Sequence, residues 1–244
     1  MTIDLYINEA NDYAQDIGAP VLHPHVSVIH YDEVGEIRHT MNRFNCYGIF
    51  LQQEFPEGLT YGIGTYHDGD GSLIALSPGQ IGGKLDDGTR HQYHGWVLAF
   101  DSEFIQGTAI KQKLDSYQFF SYHSNEALIL TPEEKDILSQ LMSNLRGELA
   151  TQSESFGHDD IIRNYILLIL DYCNRFYVRQ YKEIIPAALH ADVQECHGAD
   201  TTPIQRLSAQ EINTSFRVVL SVIRLCRMTV FRRTFAAEFK TRQK

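Results

Sequence analysis

The chain is poor in the residues that announce a covalent or metal framework. Its 244 residues include four cysteines, Cys46, Cys173, Cys196 and Cys226. None are spaced as C-x-x-C, so neither a zinc site nor a redox dithiol is expected from them. A chain of this length can bury enough core to fold without disulfides. The cysteines therefore read as free thiols in a reducing compartment, and the expected location is the cytoplasm. No run of eighteen apolar residues occurs, so no membrane span is expected. The first residues, MTIDLYINEANDYAQDI, lack a basic n-region and an apolar h-region, so no secretory signal is expected. G-x-S-x-G, H-E-x-x-H and the P-loop are all absent. Gly79-Gln80-Ile81-Gly82-Gly83 lacks the following Lys and the G-x-G-x-x-G spacing, and reads as a tight turn. With no nucleophile constellation, no catalytic residue is assigned and the protein is not expected to be an enzyme.

What is present is an uneven charge. The net charge of −10 divides into −14 over residues 1–185 and +4 over residues 186–244. An acidic first part repels nucleic acid. Any nucleic-acid contact would have to come from the tail or from another segment.

Residues 1–25 carry a weak helical signal and then a turn at His23-Pro24-His25. Short extended runs follow. Val26–His30 is the first. Asn45–Gln53 is the second, with Tyr47, Ile49 and Leu51 on one face. Leu59–Tyr66 is expected to pair with it as a hairpin, across the turn Phe55-Pro56-Glu57-Gly58. Asp68-Gly69-Asp70-Gly71 turns into Ser72–Leu76, and Asp86-Asp87-Gly88 precedes Trp96–Phe100. Short strands at regular spacing predict a small antiparallel barrel or sandwich.

The pattern then becomes helical. Thr131-Pro132-Glu133-Glu134 is a helix start, with Thr131 and Glu134 forming a capping box and Pro132 at the first helical position. Ile137, Leu138, Leu141, Leu145 and Leu149 follow at helical spacing. After a polar loop at Thr151–Gly157 comes a second helix, Ile161–Tyr181. Its apolar stripe is Ile162, Tyr165, Ile166, Ile169, Tyr172, Cys173, Phe176 and Tyr177. Asp159 and Asp160 suit its N-terminus, Arg175 and Arg179 suit its C-terminus, and Pro186 is expected to stop it. Leu167, Leu168 and Leu170 lie outside the stripe and need a second surface. That surface is either the rest of the chain or a second copy. Leu168, Tyr172, Arg175 and Phe176 are the residues assigned to a dimer interface. A short link predicts that the two helices pack antiparallel.

Eleven histidines invite a metal reading. His23-x-His25 has the best ligand spacing, but it sits at a Pro-bearing turn without an adjacent acidic partner. His91 and His94 flank Tyr93 and read as rim or cross-strand residues. No metal ligand is assigned. Barrel interiors are where small ligands bind in such folds. Tyr47, Tyr61 and Trp96 sit on candidate inward faces and are assigned to ligand binding, each with an apolar body and a polar handle.

Several stretches, taken in order, resemble the N-terminal cupin-type sensor domain of AraC-type transcription regulators. They are VSVIHYDE (26–33), RHT (38–40), YGIFL (47–51), SLIALSPGQ (72–80), GWVLAFDSEFIQGT (95–108), FFSYHSNEALILTPEE (119–134) and NYILLILDYCNRFYVRQY (164–181). The resemblance covers residues 20–183. It implies an α+β fold: a cupin-like antiparallel β-barrel, then a helical hairpin. It implies an N-terminal arm (1–25) and a sensor and dimerisation domain (26–185). The remaining residues, 186–244, would be a basic, irregular and poorly ordered tail. It implies a small-molecule effector and a homodimer, with no cofactor. Metal-binding cupins carry a His shortly after the Pro-Gly turn; here Ser77-Pro78-Gly79 is followed by Gln80, Ile81, Gly82 and Gly83, so no metal centre is implied.

The family's DNA reader is two helix-turn-helix units. Residues 186–244 spell neither, although residues 216–244 hold eight Lys/Arg against the single acid Glu238. Read two nucleotides later, permitted codons for 220–239 give Phe-Arg-Tyr-Ser-Ala-Leu, then Val-Ser-Pro-Asn-Phe. That resembles the family's first helix-turn-helix. The tail thus reads as an out-of-frame form of a lost reader, and no DNA-binding residue is assigned. DNA contact would require a reader supplied by a partner.

Overall fold

In the computed structural model, the structure describes residues 3–53, 58–61, 64–66, 72–114, 116–120, 127–151 and 157–195. Of these, residues 61, 64–66, 72 and 181–195 are described by backbone alone. The first elements are β1 (Leu5–Ile7), α1 (Asp12–Asp16), β2 (Val26–His30), a 3-10 turn at Tyr31–Glu33, β3 (Ile37–Arg38), β4 (Met41–Phe44) and β5 (Tyr47–Gln52). Then come β6 (Leu59–Tyr61), β7 (Gly64–Tyr66), β8 (Ser72–Leu76), β9 (Ile81–Gly83), β10 (Arg90–His91) and β11 (Gly95–Phe100). The chain continues with α2 (Ala109–Leu114), β12 (Leu128–Ile129), α3 (Pro132–Ala150) and α4 (His158–Glu195). The fold is α+β, with the sheets first and the long helices after.

One five-stranded sheet runs β12-β8-β5-β11-β2 and is antiparallel throughout. A second runs β1-β4-β9-β6-β7, with only β1–β4 parallel. β3 and β10 form a two-stranded ribbon. No hydrogen-bonded closure joins the two larger sheets into one barrel among the described residues.

Side-chain parity produces the layers, because alternate strand residues face opposite ways. Ile29, Phe50, Ile74, Leu76, Val97 and Ala99 of the first sheet pack with Ile7 and Phe44 of the second. Val28, Ile49, Leu51, Leu73, Leu98 and Phe100 pack instead with Leu138, Leu145, Ile166 and Ile169 of the helices. The first sheet is thus buried on both faces, which explains the unbroken apolar run in β5. Each fully buried aliphatic side chain there stabilises by about 1.5–3 kcal/mol.

The helix start at Thr131 forms as its chemistry demands. The Thr131 hydroxyl accepts from the Glu134 amide, and the Glu134 carboxylate accepts from the Thr131 amide at 3.0 Å. At one end of the pair, His158 meets Glu148 at 3.0 Å; at the other, Arg179 meets Glu134 at 2.8 Å. These contacts make α3 and α4 antiparallel. Ile162, Ile166, Ile169, Cys173 and Phe176 are buried, as the stripe on α4 requires.

Four expectations need correction. Leu59–Tyr66 does not pair with β5; β6 and β7 pair with each other and β6 joins β9 in the second sheet. The glycine-rich stretch is only partly a turn, since Ile81–Gly83 is strand β9. The N-terminal residues hold strand β1 before the short α1. Pro186 does not end α4, which continues to Glu195. Proline's fixed φ is compatible with a helix; it forfeits one hydrogen bond, costing about 3 kcal/mol, without forbidding the next turn.

Contacts divide the chain into two units, 1–191 and 192–244. Only the backbone of residues 192–195 is described in the second; the expectations for 196–244 and the turns at 54–57 and 68–71 lie outside the described residues. No helix among the described residues is long and apolar enough to cross a membrane.

Candidate functional site

A cavity of about 70 Å³ opens between the two sheets. Tyr13, Tyr31, Phe50, Gln52, Ile74 and Leu76 form one side; Asn42, Phe44, Gly82 and Gly83 form the other. Arg38, Thr40, Leu59, Thr60, Lys84 and Tyr93 complete the wall. The apolar lining comes from the sheet-to-sheet parity set, so the cavity is a local failure of those two layers to fill.

Its polar groups are organised. Tyr13 and Tyr31 share a hydroxyl–hydroxyl hydrogen bond of 2.8 Å. Burial pushes the Tyr13 phenol up to about 12, and raises Tyr31 and Tyr93 as well. All three therefore stay protonated at neutral pH. Asn42 and Gln52 are each 5% exposed. Their side-chain oxygens Oδ1 and Oε1 are buried without a hydrogen-bond partner among the described residues. A buried acceptor left unmet costs about 1–3 kcal/mol. The cavity therefore favours a small guest that can donate hydrogen bonds. Arg38 and Lys84 add positive charge to the wall for an oxygen-rich or anionic end.

The residues assigned from sequence to ligand binding lie elsewhere. Tyr47 stacks on Phe100, with centroids 5.2 Å apart, and packs on the helix-side core. Trp96 stacks on His30 at 4.1 Å, also on that side. Neither lines the cavity. The reason is parity: Tyr47 shares its face with Ile49 and Leu51, and Trp96 shares its face with Leu98 and Phe100. The side chain of Tyr61 lies outside the described residues. Gln52, Tyr31 and Tyr93 are the residues that reading missed; the even-numbered face of β5, ending in Gln52, carried the signal.

On α4, Leu168 is 43% exposed and Ile161 44%. Arg175 is exposed too, and positions 161, 168 and 175 fall on one face at heptad spacing. Tyr172 is half-buried beside them. Phe176 is 4% exposed and belongs to the chain's own core, so it is not available to a second copy.

The histidines also find partners. His25 Nδ1 meets Asp101 at 3.1 Å, and His23 Nε2 lies 3.6 Å from Asp159. His94 pairs with Asp32. His91 sits beside the cavity with Asp87 and His39, their nitrogen and oxygen atoms within 4.8 Å of one another. No sequence spacing linked His39 to that pair, because the β3–β10 ribbon brings them together. Burial holds the His39 imidazole below its ordinary range, so its ring is neutral. Hydrogen bonds from Thr89 and His91 hold the Asp87 carboxyl below its range.

No family model matches the chain, and no curated protein matches it.

Proposed function

We propose that this chain is the effector-sensing and dimerising part of an AraC-type transcription regulator. The observation that carries the reading is the mainly apolar cavity between two sheets, with two buried acceptors that lack donors among the described residues. The order of the elements, sheets first and then an antiparallel helix pair, is the arrangement the resemblance implies. The effector is a small polar molecule bearing hydroxyl or amino donors. A second copy docks on the exposed face of α4 around Leu168, Tyr172 and Arg175. Residues 186–244 spell no helix-turn-helix pattern, so this stretch does not read operator DNA with specificity.

The test is a thermal-shift screen of the full chain against small hydroxylated and amino metabolites. A true effector raises the melting temperature of the native chain and not that of Asn42→Leu or Gln52→Leu. If no compound does so, or if the shift survives both variants, the cavity is not a sensor. Gel-shift titration over a salt series tests the tail; a steep slope without sequence preference means only charge attraction. The rival reading is a cupin-fold enzyme acting on a small metabolite. It draws on the imidazole–carboxylate cluster beside the cavity. Consumption of the bound compound during incubation would favour it.

A further inference from the structure

Three side chains from separate stretches converge behind the cavity wall, where His39 meets the cavity-lining Tyr93. His39 follows β3, Asp87 lies in the connection from β9 to β10, and His91 ends β10. Asp87 Oδ2 lies 3.0 Å from His91 Nε2 and 3.6 Å from His39 Nε2. We propose that His39, Asp87 and His91 bind one divalent transition-metal ion of the zinc type. The ion would pin the 84–91 segment to the end of β3. The proposal does not depend on what the cavity binds.

The donor set is the first support. Two imidazoles and one carboxylate suit zinc, whose bonds to these atoms are about 2.0–2.2 Å. A tetrahedral ion with such bonds needs ligand atoms about 3.3 Å apart. The two separations from Asp87 bracket that value.

The second support is His39 itself. Its side chain is 2% exposed, and its Nε2 is buried without a hydrogen-bond partner among the described residues. The other ring nitrogen, Nδ1, bonds the Tyr93 hydroxyl. With Nδ1–H donating to Tyr93, Nε2 carries an in-plane lone pair, 3.6 Å from Asp87 Oδ2. Metal-bound histidines are commonly held by such an outer partner. Asp87 has one as well. Its Oδ1 accepts from the Thr89 hydroxyl at 2.7 Å and from the Thr89 amide at 3.0 Å; His91 Nε2 lies within 3.1 Å of both carboxylate oxygens, and Oδ2 is the one that also faces His39.

The His39 and His91 rings stack at 4.0 Å and 18°. Parallel rings cannot both point a lone pair at one ion, so one must turn. His91 is 36% exposed against 2% for His39, so His91 is the ring with room to turn, exchanging its contacts with Thr89 and Asp87 for the ion. The exposure of His91 and Asp87 also leaves a coordination position for water, the arrangement of a three-ligand zinc site. Asp87 and Asp86 act on His39 with negative charge, and His91 and Lys84 oppose them.

The test uses the full chain without an affinity tag, stripped with chelator. Zinc chloride is titrated by calorimetry and cobalt chloride by visible absorption. The expected result is one ion per chain, with cobalt bands of a four- or five-coordinate site. His91→Ala and Asp87→Ala should each weaken zinc by about 100-fold or more, and Tyr93→Phe by about 10-fold. His91 and Asp87 are surface residues, so these variants keep the fold, as circular dichroism checks. His94→Ala should leave the affinity unchanged. The proposal is overturned by absence of saturable binding below about 1 mM. It is equally overturned if binding survives both His91→Ala and Asp87→Ala.

Discussion

Gly83 and Gly147 invite the same substitution with opposite results. Gly83 pairs with Met41 in the second sheet and lines the cavity. Its φ is +136°, and a Cβ there would lie 2.0 Å from the Thr40 carbonyl oxygen. That oxygen is backbone and already accepts from the Lys84 amide at 3.2 Å, so it cannot swing aside. The backbone strain costs about 1–3 kcal/mol. Displacing the strand loses one or two hydrogen bonds at about 0.5–1.5 kcal/mol each. Gly83→Ala should therefore destabilise by about 1.5–6 kcal/mol, a large share of the roughly 5–15 kcal/mol typical of a domain. Gly147 lies within α3, and a Cβ there meets nothing within 4 Å. Gly147→Ala should stabilise by about 0.5–1 kcal/mol. Urea unfolding followed by circular dichroism measures both. A Gly83→Ala midpoint indistinguishable from the native chain's would refute the strain argument, since no side-chain rotation can relieve a clash with backbone.

Glu134→Ala removes the carboxylate half of the capping box, which accepts from the Thr131 amide at 3.0 Å, and the two 2.8 Å hydrogen bonds from Arg179, while the Thr131 hydroxyl still caps the helix. Arg179 is one-third exposed, so solvent softens the loss. The expected cost is about 2–3 kcal/mol in urea unfolding, and a change under about 0.5 kcal/mol would contradict it. His23 is held below the ordinary imidazole range, first by burial. The unfolded chain takes up its proton near pH 6.5 before the folded one does. Stability should therefore fall as pH drops below about 6.5, down to the folded midpoint, and NMR titration of the His23 ring should place that midpoint lower. A midpoint at or above 6.5 would reverse the sign. Leu168→Glu should abolish self-association in equilibrium sedimentation with little change in stability, whereas Phe176→Ala should cost about 3–5 kcal/mol in urea unfolding. A Leu168→Glu chain that still dimerises places the interface elsewhere.

The parts of the fold legible in the sequence were those fixed by local chemistry. Thr131, Pro132 and Glu134 set a helix start from four adjacent residues. The α4 stripe from Ile162 to Phe176 is a period, and periods survive any tertiary context. Val26–His30 and Ser72–Leu76 stood out as apolar runs between turns. What local patterning could not supply was direction. β5 is buried on both faces, so its sequence does not mark which face fronts the cavity, and aromatic character pointed to Tyr47 rather than Gln52. Strand partners were equally hidden: proximity suggested β5 with Leu59–Tyr66, but the sandwich sends β6 to β9 instead. The His39, Asp87 and His91 cluster depends on that long-range pairing and has no local signature.

The cavity and the cluster are physically joined. Arg38 and Thr40, which line the cavity, flank His39 in the chain. Lys84, also in the lining, begins the segment that carries Asp87 and His91. Tyr93 faces the cavity and bonds the His39 ring. An ion that pins this wall reduces the freedom a guest would otherwise have to remove, so each binding event lowers the ordering cost of the other. Linkage then demands reciprocity: zinc must tighten the guest by the same factor by which the guest tightens zinc, typically about 5–150-fold. Calorimetric titration of guest with and without zinc, and of zinc with and without guest, measures the two factors independently. Equal factors above one support a shared wall. Two factors of one would mean that the 84–93 segment is already rigid, and that the cluster and the cavity act as separate sites.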